Sequence, residues 1–148
     1  MDTHDGFKIQ AFFLPAAKRY ERAHDAKIFA GNTMVICNPN AGYAEVQQYS
    51  NEFLDFYLDF GINVVLWNYR GYGNSSGIPS PESNRADAEV VFDWAKRKTE
   101  ESVNGKKQVK IGAHGVSIGG LAASHLGRIG AVDFLFLDRT FSSIKSIP

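Results

Sequence analysis

The sequence predicts a three-layer α/β domain built around a mostly parallel sheet. Three observations carry that reading. Short β-rich runs alternate along the chain with stretches of helical periodicity. The central strand candidates, Thr33-Met34-Val35-Ile36-Cys37 and Ile62 to Trp67, are apolar on both faces, as strands covered by helices on both sides are. The chain has 148 residues, 44% of them hydrophobic, which is one domain's length with enough apolar material for one core.

The elements follow in order. Phe7 to Leu14 reads as a strand stopped by Pro15, and Lys27-Ile28-Phe29-Ala30 as a short possible strand. The run Thr33 to Cys37 is closed by Asn38-Pro39-Asn40-Ala41-Gly42, a loop by composition. A helix is expected next, because Val46, Tyr49, Phe53, Phe56 or Tyr57, and Phe60 recur at spacings of three and four, with Gly61 as the stop. After the strand Ile62 to Trp67 comes a Gly/Ser-rich loop, Gly71 to Gly77. Ser80-Pro81 reads as an N-cap with proline at the first helical position. The helix it opens is expected to bury Ala86, Val90, Val91, Trp94 and Ala95. Lys96-Arg97-Lys98 and Lys106-Lys107 are taken as a solvated surface leading to the strand Val109 to Ala113. A turn around Ser117, a short helix through Leu126 and a last strand, Val132 to Leu137, complete the chain.

Composition excludes several classes. Sixteen Lys plus Arg balance sixteen Asp plus Glu, so the basic excess of a nucleic-acid binder is missing. A single cysteine, Cys37, rules out an internal disulfide and argues against a Cys-ligated metal cluster. No metal or organic cofactor is expected. The first residues lack the basic and apolar regions of a signal peptide, and no run approaches the roughly 18 apolar residues of a spanning helix. A cytoplasmic or peripheral membrane location is the expectation.

The chemistry-bearing segment is Gly115-Val116-Ser117-Ile118-Gly119, with Gly120 behind it. It matches G-x-S-x-G and stands between a predicted strand and a predicted helix, where a nucleophilic serine is exposed on a sharp turn. The flanking glycines are needed because side chains there would clash. The N–H of Ile118, the residue after the serine, is then one oxyanion donor. The alternative is a tight glycine turn with an incidental serine.

Four segments together resemble the serine α/β-hydrolases, and among them the lipid-directed group of phosphatidylserine lipases and monoacylglycerol hydrolases. They are Asn38 to Tyr43, Asn68-Tyr69-Arg70-Gly71-Tyr72-Gly73-Asn74-Ser75, the turn at Ser117 preceded by His114, and Leu137-Asp138-Arg139-Thr140-Phe141-Ser142-Ser143. They cover roughly residues 33–148. The resemblance implies an α/β-hydrolase-like fold and hydrolysis of a carboxylic ester or thioester, for that group a lipid, through an acyl-enzyme on Ser117. It also implies that Asn40 supplies the second oxyanion N–H. The family has a His-Gly or Glu-Gly pair before Asn-Ala-Gly, where this chain has Asn38-Pro39. Proline removes only its own donor, and Asn40 keeps its N–H.

The base and the acid are harder to place. His114 lies three residues before the serine and is expected to be buried and bonded to backbone. His125 lies eight residues downstream, roughly 12 Å away along a helix, too far for proton transfer. His4 and His24 belong to the N-terminal segment. Asp138 ends the last strand at the same sheet edge as Ser117 and is the candidate acid, although its motif also reads as structural. The family's chain order is serine, acid, histidine, and the fold usually has about eight strands against roughly six counted here. The expectation is therefore a single domain, 1–148, that is the N-terminal two-thirds of a hydrolase fold, nearly inactive alone. Its last strand is expected to be an apolar edge open to association.

Two other readings stand beside this one. Gly71 to Gly77 misses a dinucleotide fingerprint by one residue, with Asp138 as the ribose-binding acid of that reading, and no lysine follows Gly120 as a P-loop requires. A hydrolase-like fold kept as a non-catalytic interaction module is the more serious rival.

Overall fold

The computed structural model describes residues 1–16, 30–50, 52–104 and 108–141. His24, residues 27–29 of the possible short strand, Lys106-Lys107 and Ser142-Ser143 lie outside them. Five strands form one sheet: β1 (Ala11–Leu14), β2 (Thr33–Cys37), β3 (Asn63–Trp67), β4 (Ile111–Val116) and β5 (Phe134–Asp138). Their order is β1-β3-β2-β4-β5, with β1 antiparallel to β3 and the other neighbours parallel. The helices are α1 (Ala44–Ser50), α2 (Glu52–Asp59), α3 (Pro81–Ser102) and α4 (Gly120–Arg128).

The layers follow from the period-2 alternation of strand side chains. Val35, Cys37, Val65 and Trp67 pack with Ala88, Val91, Ala95 of α3 and Ala122, Ala123, Leu126 of α4. Met34, Ile36, Val64 and Leu66 pack on the other face with Leu54, Tyr57 and Leu58 of α2. Every residue of β2 and β3 is buried.

Several sequence expectations shift. The first strand is shorter than Phe7–Leu14. Residues 1–10 instead form a hairpin, with Asp2 bridged to Lys8 and the amides of Lys8 and Gln10 donating to the Ser76 and Ser75 hydroxyls. On α2 the buried residues are Leu54, Tyr57 and Leu58, while Phe56, Phe60 just after the helix and, on α1, Val46 are exposed. On α3 the buried stripe is Asn84, Asp87, Ala88, Val91, Phe92, Ala95 and Thr99; Ala86 is exposed and Val90 and Trp94 are half-buried. Two polar residues enter that stripe with partners: Asp87 receives Arg70, and the Thr99 hydroxyl donates to the Ala95 carbonyl. The Ser80 cap forms as expected, in reciprocal bonds with Ser83.

Parallel strands that run the same way end at one edge. Cys37 pairs with Gly115, and Val116 with Asp138. The loops after β2, β3, β4 and β5 therefore gather at the carboxyl ends of the sheet, where ligands bind in open α/β folds.

Candidate active site

Ser117 leaves β4 with φ at 53°, the left-handed region that costs an L-residue roughly 1–2 kcal/mol. It opens a 3-10 turn, Ser117–Gly119, which runs into α4. The neighbouring glycines are sterically required. A Cβ on Gly115 would lie 2.7 Å from the Gly120 Cα, and one on Gly119 would lie 2.7 Å from the Asn38 carbonyl oxygen and press into the Cys37 carbonyl. A Cβ on Gly120 would collide with Thr140. The space so left lets the Thr140 hydroxyl donate to the Ser117 carbonyl at 2.8 Å. The segment after β5 thus holds the strained residue in place.

Asn40 lies in the turn after β2, exposed, and no acceptor among the described residues takes its N–H. Two tyrosines of the loop after β3 grip this turn. The buried Tyr69 hydroxyl donates to the Asn38 carbonyl at 2.6 Å, and the Tyr72 hydroxyl donates to Asn40 Oδ1 at 3.0 Å. The Asn38 amide donates to the Trp67 carbonyl. Asn38 is thereby fixed by side chain and main chain, so a loop without the family's His-Gly pair is still tied down. Asn40 and Ile118 line one cleft of about 250 Å3, together with Tyr69, Tyr72, Pro79, Ser80, Pro81, Asn84 and Leu121.

Two of the described histidines are engaged elsewhere. His114 is fully buried. Its Nδ1 pairs with the Tyr57 hydroxyl at 3.1 Å, not with backbone as expected, and its ring stands edge-on to Phe53, Tyr57 and Phe136. Burial lowers its pKa, against the opposing pull of the Asp138 charge, so the ring is neutral near pH 7. His125 pairs with Glu89 of α3 at 2.6 Å. His4 is exposed on the N-terminal hairpin. Among the described residues, no hydrogen bond joins Ser117 to a histidine.

Asp138 stands beside Val116 in register, next to the nucleophile's strand end, and its carboxylate meets the guanidinium of Arg139 at 3.0 Å. Cys37 is inert: burial pushes its thiol up to about 12, which keeps it protonated. Tyr69, Tyr72 and Thr140 were missed as supporting residues in the sequence. They sit inside the quoted motifs, but only the folded loops show what their hydroxyls hold.

The comparisons agree with this architecture. The esterase EaEST from Exiguobacterium antarcticum aligns with TM-score 0.65 at 18% identity, over 96% of this chain and 45% of its own. The α/β serine hydrolase XC6422 from Xanthomonas campestris, described as lacking a lid, aligns with TM-score 0.70 at 16% identity, over 93% and 57%. The chain has the fold of the α/β hydrolases. Among curated proteins it is 34% identical to the uncharacterized membrane protein YNL320W of Saccharomyces cerevisiae, over 78% of this chain and 39% of that protein. It is 36% identical to protein bem46 of Schizosaccharomyces pombe, over 62% and 30%. It is 34% identical to the lysophosphatidylserine lipase ABHD12 of Macaca fascicularis, over 57% and 21%. Of these three, the ABHD12 protein is the one whose name gives a lipid-directed activity. No family model matches. The chain spans less than half the length of these curated relatives. Among the described residues no helix is long and apolar enough to cross a membrane.

Proposed function

We propose that Ser117 is the nucleophile of a serine ester hydrolase acting on a carboxylic ester or thioester of a lipid. One observation carries the reading: a serine at φ 53° on a strand-to-helix turn, packed so tightly that its glycines admit no side chain. Ser117 Oγ attacks the acyl carbon, its proton passes to a general base, and the alcohol leaves as the acyl-enzyme forms. Water then releases the acid. The carbonyl oxygen carries the developing charge, which the N–H groups of Ile118 and Asn40 stabilise. One such donor is worth roughly 2.7–4 kcal/mol in a serine protease. The lipid substrate is supported by the relative named a lysophosphatidylserine lipase.

Among the described residues no general base is hydrogen-bonded to Ser117. A serine hydroxyl is a weak nucleophile without one, and the described histidines are bonded elsewhere or remote. The 148-residue chain alone is therefore expected to turn over esters only slowly. Efficient turnover requires a histidine beyond the described residues, with Asp138 or a later carboxylate to orient it. Those engaged histidines also favour the rival reading of a non-catalytic hydrolase-like module. A fluorophosphonate probe separates the two in the full-length protein. Labelling that disappears in Ser117→Ala supports the hydrolase; a protein that stays unlabelled, or labels equally in the variant, overturns it.

A further inference from the structure

The cleft that holds Asn40 and Ile118 is also lined by Pro79, Ser80, Pro81 and Asn84 at the start of α3. Asn84 is only 7% exposed, and its Oδ1 is shielded from water with no hydrogen-bond partner among the described residues. The hydroxyls around the cleft are already committed. Those of Ser80 and Ser83 bond within the helix cap, that of Tyr69 donates to the Asn38 carbonyl, and that of Tyr72 donates to Asn40 Oδ1. A buried acceptor without a partner is unfavourable, and a donor entering the cleft would supply one. The terminal torsion of asparagine is soft, so the amide can swing onto an incoming group.

None of the lining residues is charged, so a charged group seated here would be desolvated without a counter-ion. The volume of about 250 Å3 lies just under the roughly 300–1,000 Å3 of sites for drug-sized ligands. It suits a portion of a substrate, not the whole of a long-chain lipid.

We infer that Asn84 is a specificity-determining residue, its Oδ1 accepting a hydrogen bond from a hydroxyl on an uncharged portion of the ester seated in this cleft. The inference rests on the ester-hydrolase reading for its substrate class. Sites built to bond a substrate hydroxyl discriminate against analogues that lack it.

The test uses the full-length protein carrying Ser117→Ala, which binds esters without cleaving them. Its affinities for 2,3-dihydroxypropyl butyrate and propyl butyrate are compared by calorimetric titration. The hydroxylated ester is expected to bind roughly tenfold tighter, the worth of one well-made hydrogen bond. Asn84→Leu should bring the ratio near one, and Asn84→Asp, which keeps an acceptor, should retain the preference. Should Asn84→Leu not fold, Asn84→Ala is read in its place. Equal affinities with Asn84 present, a ratio unmoved by its removal, or no binding of either ester overturns the inference. Fluorophosphonate labelling of the unmutated protein tests the hydrolase reading separately. A hydroxyl preference in a protein that does not label leaves Asn84 as a ligand-binding residue and removes only the chemistry.

Discussion

The two edges of the sheet are finished in opposite ways. At the β1 side the N-terminal hairpin leads into the strand and is pinned by Arg70. The guanidinium is 6% exposed and makes bonds of 2.7–2.9 Å to both Asp87 and Asp5, with the Phe7 ring 4.4 Å from it. At β5 the side chains of Phe134, Leu135, Phe136 and Leu137 are 39–52% exposed, although they alternate between the two faces. Natural edges are protected by charge, proline or bulges. Of the charges near this one, Asp133 accepts the Ile111 N–H and Asp138 pairs with Arg139. Beside β1 polar bonds within the chain hold the hairpin; β5 presents apolar side chains. The nucleophile's strand, β4, is the neighbour of β5.

Breaking the Arg70 anchor beside β1 should have the largest effect. Arg70→Met removes both hydrogen bonds to Asp87, whose side chain is fully buried. An uncompensated buried charge of this kind costs about 3 kcal/mol, and urea unfolding should report a loss of that order. A loss under about 1 kcal/mol would mean that the hairpin's other bonds, and not the ion pair, hold that side. The β5 side is probed by Phe136→Lys, the most exposed of the four apolar residues. In the isolated 148-residue chain, it should sharply reduce binding of a hydrophobic dye and self-association, with stability lowered by about 1 kcal/mol or less for a half-buried ring. Unchanged dye binding would place the sticky surface elsewhere. The link between the β5 side and the nucleophile is the Thr140 hydroxyl bond to the Ser117 carbonyl. Thr140→Val keeps the shape and loses the donor, for a cost of about 1 kcal/mol. In the full-length protein it should slow fluorophosphonate labelling of Ser117. Labelling at the unmutated rate would show that the glycine packing alone holds the turn.

This contrast also marks what was legible in the sequence. The alternation of elements, the Ser80 cap and the glycines around Ser117 were readable because each depends on local chemistry. The faces of the helices were not. Residues 53–60 read Phe-Leu-Asp-Phe-Tyr-Leu-Asp-Phe, which carries two overlapping apolar stripes, and only packing chooses Leu54, Tyr57 and Leu58 over Phe56 and Phe60. On α3 hydropathy turns Asn84, Asp87 and Thr99 outward, whereas partners distant in sequence draw two of them in: Arg70 for Asp87 and Thr33 for Thr99. The role of Arg70 was hidden for the same reason. It stands in a quoted motif beside the site, yet it serves the β1 side. Ser117 could be singled out from five residues, but the hydroxyls of Tyr69, Tyr72 and Thr140 act across loops and needed the fold.

The smallest expected effect concerns acid. The Arg70 guanidinium, with the Thr3 hydroxyl second, holds the Asp5 carboxyl at about 2, below its ordinary 3.8. A depressed folded-state pKa means that the folded protein binds the proton less readily than the unfolded chain. The stabilisation is therefore present in full above about pH 4 and is lost as pH falls through about 2. Asp5 is exposed while Arg70 is not, so water and salt screen the pair. Arg70 keeps Asp87 when Asp5 is protonated. The hairpin should loosen before the sheet does, and only the first of these steps should depend on Asp5. Hydrogen exchange measured from pH 5 to pH 2 checks this. Amides of Phe7 and Ile9 should lose protection over that interval while those of β2 and β3 keep theirs. Asp5→Asn should show weaker hairpin protection already at pH 5, with little further change on acidification. Equal pH dependence in both proteins would assign the acid response to other carboxylates and leave the Arg70 anchor resting on Asp87 alone.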